Sequence, residues 1–214
     1  MDSYYFLNRK LRFIQQFYEI SSAPFIERKR QIEAEEPPYI PSYSEDTEPA
    51  FFEEWMAADA ALQVIGHTCI SMLAATFHLY FKSWEHRTRI PIDKSDFSNG
   101  WLNGYKAYFA RNFRINFDDS PSKLRVLEEI ALARNRIQHP DSITTDSSHY
   151  SESDLSKLPH PLFVDENDAS LLSESEHGIH AWLMAPRIIV TAEKMSTALS
   201  EVETFAEWLE STKI

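Results

Sequence analysis

The chain has 214 residues, 43% of them hydrophobic and 13% aromatic, with four glycines and one cysteine. That is enough chain for one core, and so few glycines disfavour a fold made of many tight β-turns. A formal net charge of −12 excludes a broadly basic, non-specific nucleic-acid binder, and the lone Cys69 excludes an internal disulfide framework. The expectation is a single, mainly all-α domain over 1–214.

Taken in chain order, Leu7, Leu11, Ile14, Phe17 and Tyr18 recur at helical spacing and predict a helix from about Ser3 to Ile20. Ser21-Ser22-Ala23-Pro24 reads as a stop and restart, with Ser22 capping a second helix to about Glu36. Pro37 to Pro49 is a proline-rich loop. Ala50 to His86 is apolar around much of its circumference and predicts a central helix. Its most apolar part, Ala57 to Phe81, has the length of a membrane span. It also holds Asp59, Gln63, His67, Ser71 and His78, which are costly in lipid, so it reads as a core helix with no membrane role.

Thr88 to Asn99 is a polar connector, and Trp101 to Phe117 an aromatic helix. Asp118-Asp119-Ser120-Pro121 predicts a helix start, with Ser120 as N-cap; the helix runs to Gln138, where Pro140 disfavours helical geometry at His139. Residues 141–178 form a long acidic, Ser/Asp-rich insertion. His180 to Met184 and Arg187 to Val190 read as one short β-hairpin, and Thr191 caps a last helix to about Leu209. The first residues show no basic-then-apolar leader, so a cytoplasmic protein is expected.

Charge is unevenly spread. Residues 141–180 hold nine acidic groups against Lys157, whereas residues 81–136 hold eleven Lys or Arg against seven Asp or Glu. A basic neighbourhood therefore surrounds the end of the Pro121–Gln138 helix, and an acidic one follows it. Solvated surface explains both equally well.

That helix ends in Arg134-Asn135-Arg136-Ile137-Gln138-His139. At 100° per residue, Arg134 falls inside the apolar face formed by Leu127, Ile130, Ala131 and Ile137, without a local carboxylate. Asn135 and His139 are one turn apart, so a cation, an amide and an imidazole converge at one exposed corner. These groups suit phosphodiester chemistry. A His can take a proton from a 2′-OH or give one to a leaving 5′-oxygen, and an Arg can stabilise the charge of the pentacovalent transition state. Asn135 would orient the phosphate or the imidazole, and no metal or other cofactor is needed. The plain structural alternative is an Arg bonded to a helix-end carbonyl and a His set against the helix dipole.

At these residues the sequence resembles the HEPN superfamily, whose signature is an Arg followed four to six residues later by a His, commonly with a polar residue directly after the Arg. Here four residues stand between Arg134 and His139. The layout is also similar: an up-down helical bundle, the motif late in the chain, then a loop and a closing helix. The resemblance implies a homodimer with two facing motifs, and metal-independent endoribonuclease activity leaving a 2′,3′-cyclic phosphate. It further implies that Arg134 and His139 are catalytic, that Asn135 supports them, and that the protein acts as a toxin or in phage defence, with an antitoxin or other protein as partner. Some members carry a modifiable Tyr two residues after the His; Asp141 stands there in this chain. Arg136, Arg111 and Arg114 are expected to bind the RNA.

A helical interaction module that binds a partner protein or RNA without cutting is the alternative. His67 with His78, and His177 with His180, offer weak metal pairs; satisfied core histidines explain the first pair better. Trp101, Tyr105, Tyr108, Phe109 and Phe113 read as core aromatics before base-stacking ones.

Overall fold

Two long antiparallel helices carry the molecule. The structure, a computed structural model, describes residues 2–43, 49–139, 148–158, 160–165 and 186–212, of which 73% are helical. Helix α1 (Ser3–Glu33) packs along α2 (Phe52–Thr88), and α2 in turn touches α3 (Trp101–Phe113), α4 (Leu124–Gln138) and α6 (Ala192–Ser211). Among the described residues between α4 and α6 lies one short turn of helix, α5 (Glu152–Leu155). No strand occurs among the described residues, and the fold is all-α.

The break expected at Ser21–Pro24 does not occur: α1 runs unbroken through Pro24. An internal proline costs about 3 kcal/mol in a helix. Packing along α2 outweighs that, because Leu7, Leu11, Ile14, Tyr18 and Ser22 form one buried stripe. The hydroxyl of Ser22 donates back to the Glu19 carbonyl at 3.4 Å instead of capping a new helix.

Helix α2 is apolar enough to cross a membrane by length and composition. Here it forms the centre of the bundle, with Cys69, Ile70, Leu73, Phe77 and Phe81 wholly buried. The Cys69 thiol is free, and burial pushes its pKa up to about 11. Helix α3 supplies Tyr105, Tyr108 and Phe109 to the same core, with Trp101 and Phe113 packed at its margin, as the aromatic pattern predicts. It ends at Phe113 because Arg114 turns into the left-handed region (φ 59°).

Helix α4 starts at Leu124, after Lys123, and not at Pro121. Ser120 instead closes a 3-10 turn (Phe117–Asp119), and its hydroxyl pairs with that of Ser122 at 2.8 Å. The acceptor at the true N-cap comes from elsewhere: the Lys123 N–H donates to the Glu201 carboxylate at 2.6 Å. The Thr191 cap of α6 forms as predicted, accepting from Lys194 N, and the Met195–Leu209 stripe is buried.

Of the expected hairpin only the second arm lies among the described residues, and it pairs with an earlier segment. Arg187 makes an antiparallel bridge to His149, and Ile189 N–H donates to the Phe163 carbonyl at 2.7 Å; residues 180–184 lie outside the described residues. The strap 186–190 lies close on α2 because Gly66 leaves room, since a Cβ there would sit 2.7 Å from Val190 Cβ. Side chains fasten it: Tyr18 donates to the Val190 carbonyl at 3.0 Å, and His67 Nε2 meets the Ile188 carbonyl at 2.9 Å.

The predicted acidic insertion is also corrected in part. Within it, residues 148–158 and 160–165 fold onto the core through Tyr150, Leu158, Phe163 and Val164, all buried. The rest of 141–178 lies outside the described residues.

Candidate active site

The motif occupies the last turn and cap of α4. Residue His139 is the C-cap; its N–H donates to the Asn135 carbonyl at 3.0 Å, so the last turn closes and the two residues sit one turn apart, both exposed. Arg134 is half-buried at the edge of the helix's apolar face, not within it; the buried positions are Val126, Leu127, Glu129, Ile130 and Ala133. Its Nη1 donates to Asn135 Oδ1 at 3.0 Å. Among the described residues no carboxylate forms an ion pair with Arg134.

This end of α4 faces the middle of α2. Ile137 lines a groove with Val64, His67, Ser71 and Met72. Farther along α2, His78 stacks on Trp101 with ring centroids 4.9 Å apart. Burial holds the His78 pKa below the usual histidine value; the charges of Lys82 and Arg134 add to that, and Glu85 opposes it. The Arg134 charge is thus felt by a second imidazole that sequence spacing did not connect with it.

The three arginines expected to bind RNA are already engaged or lie elsewhere. Arg136 donates through Nε to Asp154 Oδ2 at 2.7 Å and through Nη2 to the Ser151 hydroxyl at 2.8 Å. Asp154 is also the N3 residue of a capping box with Ser151. Burial alone would raise the Asp154 carboxyl; Arg136 and Ser151 outweigh it and hold the pKa low. Arg136 thus fastens α5 to α4 and is a structural cation.

Arg111 pairs with Asp96 at 2.8 Å and approaches Asp93 at 3.9 Å. Arg111 and Arg114 flank Phe113, which lines a different groove with Trp84, Arg87 and Thr88. From Ser71, beside the motif, to Arg87 is roughly 24 Å of helix at 1.5 Å per residue. Within one protomer these two arginines do not flank the motif.

The sequence reading missed the most constrained polar group on α4. Glu129 is 2% exposed, and its carboxylate accepts from the Tyr150 hydroxyl (2.9 Å), Leu162 N–H (2.7 Å) and Phe163 N–H (2.8 Å). Burial pushes its pKa up; those donors and the Lys194 charge oppose the shift. An acid in phase with Val126, Ile130 and Ala133 was the available signal. Its partners lie 21 to 34 residues later, beyond the reach of local spacing.

The remaining histidines resolve simply. His67 is half-buried and fastens the strap, and no metal-binding group of three ligands occurs among the described residues. His177 and His180 lie outside them. Compared with known proteins, the chain matches no family model, no curated protein and no solved structure.

Proposed function

We propose that the chain is a metal-independent endoribonuclease of HEPN type, acting in the cytoplasm as a homodimer. The observation that carries this reading is Arg134: a half-buried guanidinium, without a carboxylate partner among the described residues, held beside Asn135 and one turn from an exposed His139. Leaving such a charge without a carboxylate two residues from Arg136, which is paired with Asp154, favours a ligand over a structural role.

In the proposed step an imidazole removes the 2′-OH proton. The 2′-oxygen attacks phosphorus, and the P–O5′ bond breaks as the 5′-oxygen takes a proton. His139 supplies one of these proton transfers, and a second copy of the motif supplies the other. Arg134 stabilises the charge gathered on the phosphoryl oxygens, and Asn135 orients its guanidinium. The products carry 2′,3′-cyclic phosphate and 5′-OH ends.

Support for a second copy comes from the surface next to the motif. Phe6, Phe13 and Ile20, at seven-residue spacing on α1, are 44%, 56% and 66% exposed. On α2, Val64, Thr68, Met72, Ala75 and Leu79 follow at helical spacing, with Val64 and Leu79 64% and 54% exposed. Phe6 and Leu79 share one groove, and Val64, Met72 and Ile137 share the next, so this apolar face reaches the helix that bears the motif.

The same face favours the second reading, a non-catalytic module that docks a partner protein or RNA. The two separate on one experiment: a mixed RNA incubated with chelator and wild type, His139→Ala or Arg134→Ala. Cleavage by wild type, lost by at least 10²-fold in both variants and leaving cyclic phosphate ends, is expected. Equal cleavage by all three, or none by a folded dimer, would overturn the nuclease reading. Light scattering that finds a monomer would overturn the shared site.

A further inference from the structure

At the opposite end of the α1–α2 pair lies a cleft of about 500 Å³. Its walls are Tyr39, Phe51, Phe52 and Trp55, with Glu33 and Glu35 at the edge. Phe51 adopts the left-handed region (φ 60°), unusual for an aromatic residue, and its ring meets that of Tyr39 edge to face at 5.3 Å. From Trp55 to Val64, beside the motif, is about 14 Å along α2, so this cleft is separate from the site above.

The charges around it do not cancel. Lys29 pairs with Asp59 at 2.5 Å, and Arg30 is claimed by Glu27 and Glu36. Glu33 and Glu35 have no ion pair among the described residues; one oxygen of Glu33 accepts from the Trp55 indole at 2.8 Å. The carbonyl end of α1 adds negative potential, while Glu53 and Glu54 offset the positive start of α2. The chain also shows what Trp55 attracts: the Lys29 ammonium lies over its ring, 3.9 Å from the centroid.

We infer that this cleft binds an organic cation, an ammonium or guanidinium group with an apolar shaft. Aromatic faces attract such a charge through their quadrupole, and a carboxylate rim adds attraction that small hydrated ions do not exploit as well. Tyr39 and the part of Trp55 not covered by Lys29 are the aromatic walls, and Glu35 is the carboxylate without an ion pair among the described residues. The source is either a small quaternary or primary ammonium compound or an Arg or Lys side chain of a basic peptide.

The test uses the full chain, choline and acetyl-arginine amide as probes, and sodium chloride to match ionic strength. The readout is the NMR signal of the Trp55 indole N–H, assigned with Trp55→Phe. Saturable shifts are expected, with affinity weakened about 2- to 30-fold in Tyr39→Ala and in Glu35→Gln. Glu35 is exposed, so the second variant tests the idea even if Tyr39→Ala unfolds. A response to choline alone assigns a small ligand, a response to the arginine amide alone assigns a peptide side chain, and both support the class. No saturable shift from either probe, or affinities unchanged in Glu35→Gln, would overturn the inference.

Discussion

The two flanks of α4 treat polar groups in opposite ways. Facing residues 148–165, Glu129 accepts three hydrogen bonds and Arg136 is locked to Asp154 and Ser151. Facing α2, Arg134 has a single neighbour-to-neighbour bond to Asn135, and His139 is exposed. Arg134 and Arg136 are two residues apart and share chemistry, yet one is part of the framework and the other is available to a ligand. In a folded protein the framework cation is the one whose partner is also buried; Asp154 has a side chain 4% exposed.

That contrast is broken most sharply by removing the free groups. His139→Ala and Arg134→Ala should lower RNA cleavage by about 10²- to 10⁴-fold, while urea unfolding shifts by no more than about 0.5 kcal/mol. The framework flank should do the reverse. Glu129→Ala leaves three donors without an acceptor and should cost about 3 kcal/mol in urea unfolding. Glu129→Gln keeps one acceptor oxygen but sets an amide N–H against another donor, and should cost about half as much. Limited proteolysis should then cut within 148–165 first in both variants; initial cutting elsewhere would show that Glu129 does not hold this segment.

A finer comparison sets the two arginines side by side. Arg136→Met strands the buried Asp154 carboxylate and should lose about 2 kcal/mol. Arg134→Met strands nothing among the described residues and should stay near wild type in stability. If both variants lose equally, Arg134 has a structural partner and the case for a ligand at the motif weakens.

The helices and their buried stripes were legible because period and capping are local. Leu7 to Tyr18, the α3 aromatics and the Thr191 cap all lie where spacing puts them. The misses share a cause: each depended on a partner distant in the chain. Pro24 stays helical because of α2, α4 starts where Glu201 supplies its acceptor, and the bridge from Arg187 to His149 spans 38 residues. The motif itself was readable as a cluster at a helix end. That Arg136 belongs to the framework was not, since Asp154 lies 18 residues on, within a segment whose composition reads as solvated loop.

The smallest expected effects are in pH dependence, and they separate the flanks once more. Burial lowers the pKa values of His67 and His78. Each contributes stability present in full above the ordinary histidine value near 6.5 and lost as pH falls through it toward the depressed value. Glu129 has the opposite sign: its pKa is raised, so its contribution is greatest below the usual carboxylate value and fades as pH rises through the raised one. Urea midpoints from pH 4 to 8 should fall less steeply toward acid in His67→Gln and less steeply toward alkali in Glu129→Gln. Neither slope should exceed about 1.4 kcal/mol per pH unit, the limit for one proton. Arg134 enters this balance through His78, whose imidazolium it disfavours. In Arg134→Met an NMR titration should find the His78 midpoint moved upward, toward the ordinary value. An unmoved midpoint would mean that the Arg134 charge points away from His78.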